Sequence, residues 1–199
     1  MNLLMAKPSE SKRTLTLAFA KPNATDHWVN HLTARISKHK VCHVELHFES
    51  INQCFSIEWK DIARLRQKSL ANPNYQLVSL VVTQKEYDSA LEFCRKISLM
   101  QIGWDEGAMW RSYVNPCACL ELNSQYAGRT YCSKIITETL QHAGLPEFAG
   151  LTPATTTPSR MLDAVLTSQR QACSSVPYKR SELVAKGTVV VNSMHPPLI

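Results

Sequence analysis

The chain of 199 residues is 44% hydrophobic and 19% charged, with 6 glycines and 10 prolines. That balance suits one globular domain and excludes whole-chain disorder, collagen-like repeats and low complexity. Its longest nearly apolar stretch, Leu77 to Val82, contains Ser79 and is far shorter than the roughly 18–20 residues of a bilayer-spanning helix. Lysine and arginine outnumber aspartate and glutamate by 22 to 16, a net charge of +6, but the cations are spread and no basic run is interleaved with aromatics, so specific nucleic-acid binding is not expected.

Residues 1–13 read as a flexible polar arm, 14–170 as the folded domain and 171–199 as a C-terminal extension of weak periodicity. The opening MNLLMAKPSESKR has a short apolar run with no cation before it, which does not fit a secretory signal. Seven cysteines, Cys42, Cys54, Cys94, Cys117, Cys119, Cys132 and Cys173, are odd in number and irregularly spaced. They fit reduced thiols in a cytoplasmic or other intracellular setting rather than a disulfide framework, and a core of this size forms without staples.

Thr14 to Ala20 (TLTLAFA) alternates like a half-buried strand. Asp26 is placed to cap a helix from His27 to about His39, in which Trp28, Leu32 and Ile36 recur every four residues as an apolar stripe read as packing. Cys42 to Phe48 (CHVELHF) and Cys54 to Trp59 (CFSIEW) flank the polar loop Glu49 to Gln53 and predict an antiparallel hairpin. Tyr75 to Val82 reads as another strand. It runs into Thr83-Gln84-Lys85-Glu86, which has capping-box spacing for a helix from Gln84 to about Met100.

A further helical piece is expected at Trp104 to Tyr113 and an irregular loop at Asn115 to Arg129. The segment Thr130 to Ala143 has Ile135, Ile136, Leu140 and Ala143 on one face, with Gly144 placed to end it. Leu151 to Pro158 reads as a loop, and Ser159 as the cap of a helix to about Gln169. The fold class is therefore α+β. No repeat and no phosphate-binding glycine pattern occurs, which disfavours nucleotide chemistry.

Thr130-Tyr131-Cys132-Ser133 opens an amphipathic helix with a thiol. A cysteine there faces the positive end of the backbone dipoles and unpaired N–H groups, a setting that favours thiolate. Such a nucleophile needs a base, and His43 opens a strand with Glu45 two residues on and on the same face. By residue type alone Cys132 reads first as an ordinary buried cysteine, a common fate of free thiols.

The order of segments adds to this. The strand His43-Val44-Glu45-Leu46, a second strand Phe55-Ser56-Ile57-Glu58-Trp59, a helical middle and then Tyr131-Cys132-Ser133-Lys134-Ile135-Ile136 together resemble the circularly permuted branch of the NlpC-like papain-fold hydrolases. In that branch the histidine precedes the cysteine; its members include the YiiX-type proteins, relatives in large DNA viruses and phages and, more distantly, lecithin retinol acyltransferase. Ile102-Gly103-Trp104-Asp105 looks like the glycine-and-aspartate segment before the cysteine helix, and Thr157-Pro158-Ser159-Arg160-Met161-Leu162 like the segment after it. The likeness touches about residues 40–165 and draws its specificity from the order and spacing of short motifs.

The resemblance implies a permuted papain-like fold, a small antiparallel sheet packed against helices including the nucleophile helix, with Cys132 as nucleophile and His43 as general base. It also implies a polar orienting residue on the strand after the histidine. Counting back through a hairpin centred near Ile51 puts Ser56 to Glu58 opposite His43 and favours Glu58. Glu45 competes from the histidine's own strand, although its Cβ should lie about 6.5–7 Å further along. The implied activity is that of a thiol hydrolase or acyltransferase acting on an amide, a peptide or a lipid ester through a thioester, with backbone N–H groups as the oxyanion site and no cofactor. Tyr131 is a lesser candidate for that site, packing being its first reading.

Two other readings compete. His27-x-x-x-His31 sets two imidazoles a helical turn apart, but Trp28 stands where a zincin requires glutamate, and Cys117-Ala118-Cys119 has no second pair, so no metal is expected. Alternatively the papain-like fold is catalytically idle, a structural or binding component that docks through its N-terminal arm and C-terminal tail, in a virion by analogy with viral relatives. Cys42 directly before His43 and the contest for the third residue motivate that alternative.

Overall fold

The computed structural model describes residues 11–114 and 129–174. Its centre is a five-stranded antiparallel sheet. β1 (Lys12–Ala20) lies between β2 (His43–Phe48) and the edge strand β5 (Tyr75–Thr83), while β2 pairs with β3 (Gln53–Ser56), and β3 with the other edge, β4 (Arg64–Arg66). β1 starts two residues earlier than its alternation suggests, because Lys12 and Arg13 pair with Thr83 and Val82. β4 has no signal in the sequence: three residues, Arg-Leu-Arg, are held by pairing to β3 and by Leu65 N donating to Ser98 Oγ at 3.2 Å.

Register sorts the side chains. Leu15 pairs with Phe48, Leu17 with Leu46 and Phe19 with Val44; these share one face by the strand period of two and all are fully buried. The same register sets Ala20 opposite His43 and Ala18 opposite Glu45, so the charged residues take the other face. The apolar face is covered by α2 (Gln84–Leu99), α4 (Cys132–His142) and α5 (Pro158–Ser174), which bring Tyr87, Cys94 and Ile97, Ile135, Ile136 and Leu140, and Met161, Leu162 and Val165 into one core.

Local chemistry fixes the helix ends. At α2 the capping box forms as its spacing predicts: Glu86 N donates to Thr83 Oγ1 at 3.2 Å and Thr83 N donates to Glu86 Oε2 at 2.7 Å. α4 begins at Cys132 rather than Thr130, because Arg129–Thr130 (β7) pairs in parallel with Gly103–Trp104 (β6). It ends in a Schellman motif, with Leu145 N donating to Leu140 O, Gly144 N to Gln141 O, and Gly144 at φ +83°. α3 (Glu106–Val114) follows β6. α5 starts at Pro158, one residue before the expected cap Ser159; Arg160 N donates instead to Thr157 Oγ1.

The largest departure is α1 (Trp28–Ile36), shorter than expected at both ends. Its cap is His27, whose Nδ1 accepts from Val29 N at 3.4 Å, while Asp26 accepts from Asn23 N. The stripe read as packing is exposed: Trp28 63%, Leu32 39% and Ile36 54%. The helix packs instead by the adjacent face, Val29, Thr33 and Ala34, with Val29 against Met109 and Tyr131. Among the described residues no helix is long and apolar enough to cross a membrane. The expected arm up to residue 10, most of the 115–129 loop and the extension beyond 174 lie outside the described residues.

Candidate active site

His43 is the first residue of β2 and Cys132 the first of α4, and α4 packs on β2. The thiol and the imidazole thus come together where a strand and a helix both begin. Two segments brace that point. Asp105, just after β6, donates its N–H to Thr130 O at 2.6 Å and accepts from Ala108 N at 2.8 Å, so that it ties the approach to Cys132 to the start of α3. On the other side Ser133 Oγ donates to Thr156 O at 2.7 Å. The N-cap of α4, Tyr131, makes no side-chain capping bond, and the first turn has no acidic residue. The Tyr131 hydroxyl is turned away to the carbonyls of Pro153 and Ala154.

Glu45, fully buried, is the carboxylate beside the imidazole: its Oε1 lies 3.5 Å from His43 Nε2. This is an ion-pair contact rather than a formed hydrogen bond, since among the described residues neither His43 Nε2 nor Glu45 Oε2 has a hydrogen-bond partner. Glu45 Oε1 accepts from Lys68 Nζ and, at 3.0 Å, from Tyr75 Oη. Glu58, the residue favoured by the hairpin count, is half-exposed and turns to Lys68 Nζ, 3.0 Å away, and to Arg66. The register Leu46 to Phe55 does point Glu58 at His43, but β3 ends at Ser56 before the pairing gets there. The glutamate side chain on β2 spans the two-residue step that argued against Glu45.

The electrostatics are tightly coupled. Burial opposes charge on the His43 ring, but the charge and hydrogen bond of Cys132, with Glu45 behind, outweigh it and raise the imidazole to about 10. Burial likewise works against the Glu45 carboxylate, yet His43 and Lys68 hold it at about 2. Desolvation, then the charge of Glu45, push Tyr75 up to about 12. Burial, followed by the neighbouring Cys132, pushes the Cys42 thiol to about 12, and burial first of all takes Cys54 to about 12.

A cleft of about 420 Å³ opens beside His43. Trp59, Trp104 and Met109 form an apolar part of its wall, and Asn23, Asn30, Asn72 and Asn74 supply amides that pair with donors or acceptors alike. Cys132 is 3% exposed and does not line this cleft.

Lys68 and Tyr75 were not singled out by sequence reasoning. Tyr75 reaches the site because both it and His43 pair with Ala20, a register that leaves no local sequence signal; Lys68 follows β4 in an irregular segment and had none. His27 stacks on Trp59 at 5.5 Å between ring centroids, and among the described residues no group of three His, Cys, Asp or Glu side chains is placed to hold a metal ion. Cys117 and Cys119 lie outside the described residues. Comparison with protein-family models, with curated proteins and with solved structures finds no match to this chain.

Proposed function

We propose that the protein is a thiol hydrolase or acyltransferase of the permuted papain-like kind, with Cys132 as nucleophile, His43 as proton carrier and Glu45 as the orienting carboxylate. The observation that carries this reading is the packing of α4, which opens with Cys132, on β2, which opens with His43, with Glu45 held behind the ring by Lys68 and Tyr75.

In this mechanism the proton rests on the imidazole and the sulfur attacks as thiolate. A bond forms from Sγ to the substrate carbonyl carbon, and the carbonyl electron pair moves to oxygen, where first-turn N–H groups of α4 receive the charge. Collapse expels the amine or alkoxide leaving group, which takes the His43 proton, and a thioester remains. Water, or an acyl acceptor, then gives a proton to His43 as it attacks the thioester, and Cys132 departs as thiolate. Glu45 stays ionised and fixes the ring. The substrate is an amide, a peptide or an ester, and the amide-rich cleft beside His43 suits one that carries polar groups.

The near-complete burial of Cys132 favours a second reading, an idle fold serving as a binding or structural component, in a viral particle or another assembly. Alkylation by iodoacetamide, mapped cysteine by cysteine, separates the two. At about pH 6, below the ordinary thiol range, the enzyme reading expects Cys132 to label well ahead of Cys42, Cys54 and Cys94, and to lose that lead in His43→Ala. Labelling of Cys132 no faster than those three, or indifferent to His43, leaves the idle fold.

A further inference from the structure

The helix beside the cleft presents an apolar stripe to solvent. Trp28, Leu32 and Ile36 are spaced by one turn and lie on the outer face of α1, while the inner residues Val29, Asn30 and Thr33 form part of the cleft wall. A run of rings connects the two. Trp28 meets His27, His27 stacks on Trp59, and Trp59 meets Trp104, each at 5.5–5.6 Å between centroids; Trp59 and Trp104 line the cleft. The stripe is therefore at the rim of the cleft.

The helix itself carries only basic charge, although Asp26 lies two residues before it and Asp163 meets Lys38 and His39 just after it. α1 has no acidic residue; His31 and Arg35 are exposed on it, and the exposed Lys38 and Lys40 follow its end. Lys38 is shared with Asp163 at 2.8 Å. A short helix with Trp, Leu and Ile along one line and cations beside it has the makings of an interfacial helix, which sinks its apolar side chains to the level of lipid headgroups while the cations meet anionic phosphates. A soluble protein rarely leaves a tryptophan, a leucine and an isoleucine together in water without such a use.

We propose that the outer face of α1 docks on an anionic lipid bilayer and sets the mouth of the cleft at the headgroup layer. The surface works independently of the thiol. Docking would limit the cleft to substrates that lie at, or are carried to, a membrane surface.

The test is co-sedimentation of the full chain with vesicles of phosphatidylcholine plus phosphatidylserine, and with vesicles of phosphatidylcholine alone. The chain is expected to sediment with the mixed vesicles and far less with the neutral ones. Trp28→Ser with Ile36→Ser should weaken that partitioning about tenfold or more, and Arg35→Gln about fivefold, the worth of one cation near such a surface. All three positions are exposed, so unchanged circular dichroism and thermal midpoint check that the variants fold. Leu99→Ser, at an exposed apolar position on α2, and Cys132→Ala should bind like the wild type; the latter keeps this result separate from the catalytic reading. The proposal is overturned if the wild type binds neither vesicle, or if Leu99→Ser weakens binding as much as the α1 variant. It is equally overturned if sedimentation equilibrium without lipid shows a dimer that Trp28→Ser with Ile36→Ser dissolves, for then the stripe's occupant is a second copy.

Discussion

Glu45 keeps its charge in a fully buried place because three groups hold it: Lys68, Tyr75 and His43. Its depressed pKa gives it a defined effect on stability. The carboxyl titrates near 2 in the folded protein against an ordinary value near 4.5, so its stabilisation is complete above the ordinary value and is lost as pH falls from about 4.5 to about 2. The loss attributable to it is about 3 kcal/mol. Urea unfolding across that window should show wild type losing this much more than Glu45→Gln, which has no such proton to take up. In the proposed reaction Glu45→Gln should also slow Cys132 alkylation about tenfold, whereas Glu58→Gln changes it less than about twofold. His43 and Cys132 were legible as candidates because each opens an element, a strand and an amphipathic helix. The choice between Glu45 and Glu58 was not legible. It depends on where β3 stops and on Arg66 and Lys68 drawing Glu58 away, neither of which leaves a local pattern.

At the scale of elements, the caps were the most readable features, since a capping box and a terminal glycine act within one turn of chain. Gly144→Ala places a side chain at φ +83° and should cost about 1 kcal/mol, and Thr83→Ala, which removes the box from α2, should cost about as much; both are read from urea midpoints. β4 was invisible because three residues are too few to alternate. The stripe of α1 shows a different limit. Its spacing identified a helix and one of its faces, but a period says nothing of what lies opposite. The neighbours Met109 and Tyr131 turned Val29 inward and left Trp28, Leu32 and Ile36 outside.

For the whole molecule, one core joins the sheet to α2, α4 and α5, and Leu46 sits fully buried on β2 within it. Leu46→Ala should therefore cost about 2–5 kcal/mol and lower a single shared transition, with far- and near-ultraviolet circular dichroism melting together; two separated transitions would mean that the helices and the sheet are independent units. The mixed α+β architecture was legible from alternating strands followed by amphipathic helices. The finer arrangement around Cys132 was not, because β6, β7 and the turn at Thr156 are held by contacts between distant segments.

The order of those segments has a consequence for biosynthesis. The whole sheet and α2 are made before α4, and at about 10 residues per second a few seconds separate the last of α2 from Cys132. During that interval the nascent chain has the imidazole of His43 and the carboxylate of Glu45 without Cys132. The face that later receives Ile135, Ile136 and Leu140 stands uncovered. Maturation of the site and closure of the core are then one event, driven by a helix near the end of the described chain, and a released chain truncated after Leu99 should bind a hydrophobic dye and holdase chaperones that the finished protein ignores.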